Sequence, residues 1–197
     1  ENYPKKKFAN KKANFKCKIL NVRKPEPIKI DDQFAKNKLR KFAQMEMYPH
    51  VKQDLLLEVG LHVQNLNYNI IVISNQSGID RGIYSESDYQ RVNEWMLNEF
   101  YLKNVSILDT FHCPHKPNSN CNCRKPKPGM FFDAKIKYNI NMGHSWMIGD
   151  KETDIESANL AGINNTVLVR SGHEIDELNS NSKFIIDSIA QCQEIIT

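Results

Sequence analysis

The run Asn69-Ile70-Ile71-Val72-Ile73 constrains this chain more than any other stretch. It is β-branched almost throughout and lacks polar alternation, which is how a strand buried on both faces of a parallel sheet reads. It breaks into a polar turn, Ser74-Asn75-Gln76-Ser77-Gly78-Ile79. Ligands of open α/β sheets bind beyond the carboxyl ends of the strands. Ser74, Asn75 and Gln76 therefore stand where chemistry is expected, although an ordinary βα turn has the same composition. Shorter apolar runs follow at 105–108, 145–148, 166–169 and 183–186. Helical patterns lie between them. The first is marked by Val51, Leu55, Leu56, Val59 and Val63. The second carries Tyr89, Val92, Trp95, Met96 and Phe100 on one face, with Ser85 as N-cap and Asp88 in the first turn. This aromatic stripe reads as core. Residues 130–138 and 155–161 are two further helices, and the C-terminus is expected to be helical. The alternation predicts an α/β fold, a parallel sheet flanked by helices on both faces.

The second strong feature is a loop, Cys-Pro-His-Lys-Pro-Asn-Ser-Asn-Cys-Asn-Cys, that ends in Arg-Lys-Pro-Lys-Pro-Gly-Met. Cys113, His115, Cys121 and Cys123 put four metal-ligand side chains within eleven residues. Zn²⁺ takes four such ligands in a tetrahedron, and a set with no open position is structural. Arg124, Lys125 and Lys127 follow at once, so the reading is a zinc-stapled loop that presents cations to an anion. Cys17 and Cys192 bring the cysteine count to five. An odd count clustered beside a His argues for metal over a disulfide framework, and for a reducing cytoplasm.

A third polar turn, Gly149-Asp150-Lys151-Glu152-Thr153-Asp154, follows the apolar run at 145–148. A carboxylate at a strand end suits Mg²⁺, which takes oxygen ligands and keeps several waters. Asp150 and Asp154 both stand at such a place, with Lys151 beside them, although Asp154 also reads as a helix N-terminal residue favoured by the macrodipole. No apolar run reaches the ~20 residues needed to span a bilayer. Residues 1–50 carry 14 Lys/Arg against 5 Asp/Glu, and the remainder 13 against 18. The basic segment shows no aromatic interleaving of the kind that stacks bases, which argues against nucleic acid. Residues 1–45 read as an atypical, poorly ordered basic segment and 46–197 as a single folded domain.

In this order, the Ser-Asn-Gln-Ser-Gly-Ile turn with Arg81-Gly82, the cysteine loop closing in Arg-Lys-Pro-x-Pro-Gly-Met, and Ile148-Gly149-Asp150-Lys151 with Asp154 resemble the haloacid-dehalogenase (HAD) phosphatases. More narrowly they resemble the D-glycero-D-manno-heptose 1,7-bisphosphate phosphatases of bacterial heptose and lipopolysaccharide biosynthesis. The resemblance covers roughly residues 47–169. It implies a HAD-like Rossmannoid sheet without a large cap domain, and a Mg²⁺-dependent hydrolysis of a small sugar phosphate through an aspartyl-phosphate. It makes Ser74 the hydroxyl and Lys125 the ammonium that hold the phosphoryl group, and Asp150 the Mg²⁺ carboxylate. Arg124, Asn75, Gln76 and Lys151 become substrate contacts. It also implies a monomer with no membrane or nucleic-acid partner.

The family opens with a strand running into Asp-x-Asp-Gly, and this chain contains no such motif. The nearest stretch is Ile28-Lys29-Ile30-Asp31-Asp32-Gln33-Phe34. Aligned on it, Asp31 is the nucleophile and a Mg²⁺ ligand, and Gln33 replaces the acid/base Asp, although an amide cannot exchange a proton with a leaving group. Three accounts stay open: residues 1–45 do not represent the natural chain, the domain is a zinc-stabilised sugar-phosphate binder without turnover, or Asp31 acts in an unusual arrangement. A histidinol-phosphate phosphatase, with a similar cysteine loop, is the sibling reading.

Overall fold

The computed structural model describes residues 53–170 and 175–197. The expected nucleophile Asp31, its neighbour Gln33 and the division at residue 45 lie outside the described residues. The described chain runs α1 (Gln53–Asn65), β1 (Ile70–Asn75), α2 (Glu86–Tyr101), β2 (Ile107–Cys113), α3 (Gly129–Tyr138), β3 (Trp146–Gly149), α4 (Glu152–Leu160), β4 (Asn165–Val169), β5 (Phe184–Ile186) and a short α5 (Cys192–Ile195). Every strand pairing among them is parallel, as expected of strands joined through helices.

The strands form two ladders rather than one sheet among the described residues: β1–β2, and β3–β4–β5. The ladders are nevertheless tied into one core. Phe131 of α3, Ala158 of α4, Ala161 at its C-cap, Met142 and Ile163 form a buried cluster against which both Ile73 of β1 and Met147 of β3 pack. On the other side, Val59 of α1, Val167, Val169, Ile186, Cys192 and Ile196 form a second cluster that Trp146 and Ile148 join. Alternate residues of β3 thus face opposite helical layers, the period of two that a strand imposes.

Several elements differ from their sequence expectation. The strand expected at 105–108 runs instead from Ile107 to Cys113. Asp109 masks it in the sequence. In the fold its carboxylate accepts from Lys137 Nζ at 2.7 Å and Tyr138 Oη at 2.9 Å, so a charged residue sits in the strand at little cost. Consequently the first metal-ligand candidate, Cys113, is itself a strand residue. The helix expected from Ile155 begins at Glu152, which brings Asp154 into its first turn. Ser85 caps α2 as expected, through a capping box with Asp88. The aromatic stripe of α2 is only half-buried, because the helix packs on a two-stranded ladder that cannot cover its whole face.

Candidate active site and metal centre

The carboxyl ends of β1, β2 and β3 carry the three sequence motifs, and the loop at 114–128 binds them together. In register, Ser74 lies beside His112 and Asn75 beside Cys113. Cys113 is fully buried at the end of its strand. Its sulfur lies 3.5 Å from His115 Nδ1, 3.8 Å from Cys121 Sγ and 3.2 Å from Cys123 Sγ, and His115 Nδ1 lies 3.3 Å from Cys123 Sγ. A tetrahedral ion about 2.3 Å from sulfur and 2.0 Å from nitrogen separates its ligands by roughly 3.5–3.8 Å. The four side chains therefore fit one metal ion, and all four ligand atoms lie within 4.8 Å of one another. Burial, joined by the neighbouring Cys123, pushes the Cys113 thiol up to about 12, and burial also raises Cys123. Cys121 is drawn down to about 6: burial opposes ionisation there, but the Ser119 hydroxyl, the Arg124 backbone N–H and the adjacent thiols outweigh it. A metal must displace protons from this set, so its affinity falls in acid.

The loop delivers its cations by short links. Arg124 Nη1 donates to the carbonyl of His115 at 3.0 Å. Lys127 Nζ donates to the carbonyl of Cys121. The Asn75 side chain clasps the backbone of Lys125 twice: its Oδ1 accepts from the Lys125 N–H at 3.1 Å and its Nδ2 donates to the Lys125 carbonyl at 3.3 Å. Gly129 closes the loop, because a Cβ there would run into the Asn122 carbonyl that the Gly129 N–H bonds. Lys125 Nζ then reaches the carbonyl of Ile73 at 2.8 Å and Asp154 Oδ1 at 2.7 Å, with both side chains under a tenth exposed.

Ser74 is oriented by its own turn. Tyr84 Oη donates to Gln76 Oε1 at 2.8 Å, which turns the Gln76 amide nitrogen toward Ser74 Oγ at 3.2 Å. The serine oxygen accepts this bond, and the Ser74 hydroxyl also pairs with the Tyr89 phenol, so an anion placed here competes with Tyr89 for that proton. Asp150 directly follows β3, and Lys151 is exposed beside it. Ser74, Asn75, Gln76, Arg124 and Lys125 are thus gathered around the loop, with Asp150 at the neighbouring strand end. Asn75 and Gln76, expected to touch substrate, bond Lys125 and Ser74 in this structure. Asp154 is the residue the sequence left ambiguous. Its partner lies 29 positions away in another motif, and no local pattern announces the pair.

An HAD-hydrolase-like family model matches residues 122–192. A Photorhabdus laumondii D-glycero-alpha-D-manno-heptose-1,7-bisphosphate 7-phosphatase is 45% identical over 132 residues, covering 63% of this chain and 72% of the relative. The chain belongs to the D-glycero-D-manno-heptose-1,7-bisphosphate 7-phosphatase family. The family is one of phosphoric monoester hydrolases. Its beta-anomer member from Escherichia coli K12 is 31% identical over 151 residues, covering 73% of this chain and 79% of that protein. The fold agrees. A D,D-heptose 1,7-bisphosphate phosphatase from B. bronchiseptica, solved with magnesium and phosphate, superposes with a TM-score of 0.62 at 24% identity, over 71% of this chain and 79% of that one. Among the described residues no helix is long and apolar enough to cross a membrane.

Proposed function

We propose that this chain releases the 7-phosphate of D-glycero-D-manno-heptose 1,7-bisphosphate with Mg²⁺, and that Zn²⁺ occupies the Cys113, His115, Cys121, Cys123 site. The observation that carries the reading is the placement of Lys125. A buried ammonium is anchored at the carboxyl end of β1, on a loop of metal-ligand side chains, close to the Ser74 hydroxyl. Phosphoryl transfer needs positioned charge more than elaborate covalent chemistry, and such a pair supplies it. Ser74 and Lys125 hold the phosphoryl oxygens. Arg124, tied to the loop through His115, meets the sugar or its remaining phosphate, and Lys151 lies on the rim.

Asp150, together with Asp31, would hold Mg²⁺ in the mode in which that ion uses one or two carboxylates, keeps waters and takes substrate phosphate oxygens. Bound there, it neutralises charge on the phosphoryl group. A closed set of four soft ligands makes the zinc structural, holding Arg124 and Lys125 in place. Asp31 is the proposed nucleophile: its carboxylate bonds to phosphorus as the bond from phosphorus to the sugar oxygen breaks, and water then cleaves the acyl phosphate. Gln33 has no proton to give, so the leaving oxygen takes one from water. Losing such general acid help costs about 10²–10⁴-fold, and slow turnover is expected. Thiols that serve a metal suit a reducing cytoplasm, and the chain is taken to act as a monomer.

The test is phosphate release from both heptose bisphosphate anomers and from histidinol phosphate. The parent is assayed beside Asp31→Asn and Asp150→Asn. Mg²⁺-dependent release from a heptose bisphosphate, lost in both variants, is the expected result. The alpha anomer is expected to be the faster, since the 45% identical relative carries that name. Faster release from histidinol phosphate would overturn the substrate. Tight binding of the bisphosphate with no turnover in the parent would make the chain a sugar-phosphate binder instead.

A further inference from the structure

Asp150 and Asp154 share one turn of the sequence, and both are carboxylates of the kind that could meet Mg²⁺. The structure separates them. Asp154 is the third residue of α4, and its side chain is only 8% exposed. Its Oδ1 is 2.7 Å from Lys125 Nζ, on a side chain 9% exposed. Its Oδ2 lies over Gly149, where a Cβ would stand 2.7 Å from that oxygen and 2.5 Å from Asp154 Cβ. One oxygen is therefore committed to an ammonium and the other is packed on backbone. A hard cation binds carboxylates together with several waters, and this carboxylate is poorly placed to offer that.

The consequence falls on Lys125. An ammonium carries three protons. One goes to Asp154 Oδ1 and one to the Ile73 carbonyl, at 2.7 and 2.8 Å. Two fixed acceptors leave a single donor and set its direction. We infer that Asp154 is the positioning residue of Lys125 and not a magnesium ligand, and that Gly149 is glycine to let that carboxylate close on the lysine. The inference rests on the proposed function only in that Lys125 meets the phosphoryl group.

A double-mutant cycle tests it, comparing the parent with Asp154→Asn, Lys125→Ala and the two together. Gly149→Ala is a separate variant that keeps the carboxylate but displaces it. Zinc content serves as the check on folding. Expected for Asp154→Asn is a loss of about ten- to a hundredfold in kcat, the scale of a misplaced group. KM and the Mg²⁺ concentration for half-maximal activity should stay within about twofold, and Gly149→Ala should behave alike. In the Lys125→Ala background, Asp154→Asn should change kcat by less than about twofold, because a residue acting only through another shows no independent effect. A tenfold rise in the Mg²⁺ requirement, or losses that multiply across the cycle, would overturn the assignment. Should the parent hydrolyse no sugar phosphate, the proposed function fails and the inference is still read by NMR of ¹⁵N-lysine protein. A slowly exchanging Lys125 ammonium signal in the parent that vanishes in Asp154→Asn upholds it. A signal absent from the parent, or unchanged in the variant, overturns it.

Discussion

Removing the metal from the cysteine loop should unseat Lys125 before it unfolds the domain. The perturbation is chelation, or Cys123→Ser, which strikes the ligand two positions before Lys125. The magnitude follows from the loop. The candidate ligands span residues 113 to 123, eleven residues that a bound ion would cross-link. Closing a loop of that length in the unfolded chain accounts for roughly 3 kcal/mol on the chain-entropy model. Ligand bonds add to this, so roughly 3 kcal/mol is a floor. For a domain of this size about 1 kcal/mol corresponds to ~2–4 °C in Tm, so complete removal should lower Tm by at least ~6–12 °C. Activity or phosphate affinity should fall further than global stability requires, because Arg124 is tied to His115 and Lys127 to Cys121. The assay pairs metal content by mass spectrometry with thermal unfolding and phosphate binding on the same samples. Full metal loss with Tm moved by less than about 2 °C, or with phosphate affinity unchanged, would refute the argument that the ion holds the cationic loop. Acid should ease chelation, since Cys113 is held well above the ordinary thiol range, at about 12, mainly by burial.

Three further outcomes are expected. Lys125→Ala leaves the Asp154 carboxylate buried without its partner, and breaking a buried pair in this way costs about 3–5 kcal/mol; urea unfolding of Lys125→Ala beside Lys125→Ala/Asp154→Asn should recover part of that loss in the double variant. Tyr84→Phe frees the Gln76 amide that points at Ser74, and should lower kcat a few-fold at a stability cost of about 1 kcal/mol, the usual worth of one hydrogen bond. Burial pushes the Cys192 thiol up from 9.0 to about 11. A raised pKa in the folded state means that stability is fully present below pH 9 and is lost as pH rises toward 11. The loss is about 2–3 kcal/mol, and denaturation curves of Cys192→Ala should lack that part of the alkaline decline.

Much of the fold was legible because burial imposes period. Residues 70–73 form the expected strand, although every residue of it is half-buried rather than fully covered, and Ser85 with Asp88 announces a helix start by chemistry that is local. The strand ending at Cys113 was cut short because Asp109 looks like a strand breaker; what neutralises it comes from Lys137 and Tyr138, 28 and 29 residues later. The division of the described strands into two ladders was likewise invisible. Strand order is a property of long-range pairing, and the helices between strands carry the same pattern whatever order the strands take.

The site divides along the same line. The candidate metal ligands were legible because all four lie within one short stretch of chain, where spacing in sequence is nearly spacing in space. The nearness of Lys125 to that cluster was legible for the same reason, through a run of adjacent residues. What could not be read was the tension on the ammonium itself. Its acceptors are a backbone carbonyl at Ile73, 52 residues earlier, and a carboxylate at Asp154, 29 residues later. A main-chain carbonyl has no sequence signature at all, and an Asp in the first turn of a helix already has a sufficient local reason to be there in the macrodipole. Only the missing side chain at Gly149 carries a trace of the arrangement, because a β-carbon at that position and the Asp154 carboxylate cannot share the space. Sequence reasoning therefore finds the group proposed to meet the substrate and misses the group proposed to aim it. The first is selected for what it is, and the second for where the fold puts it.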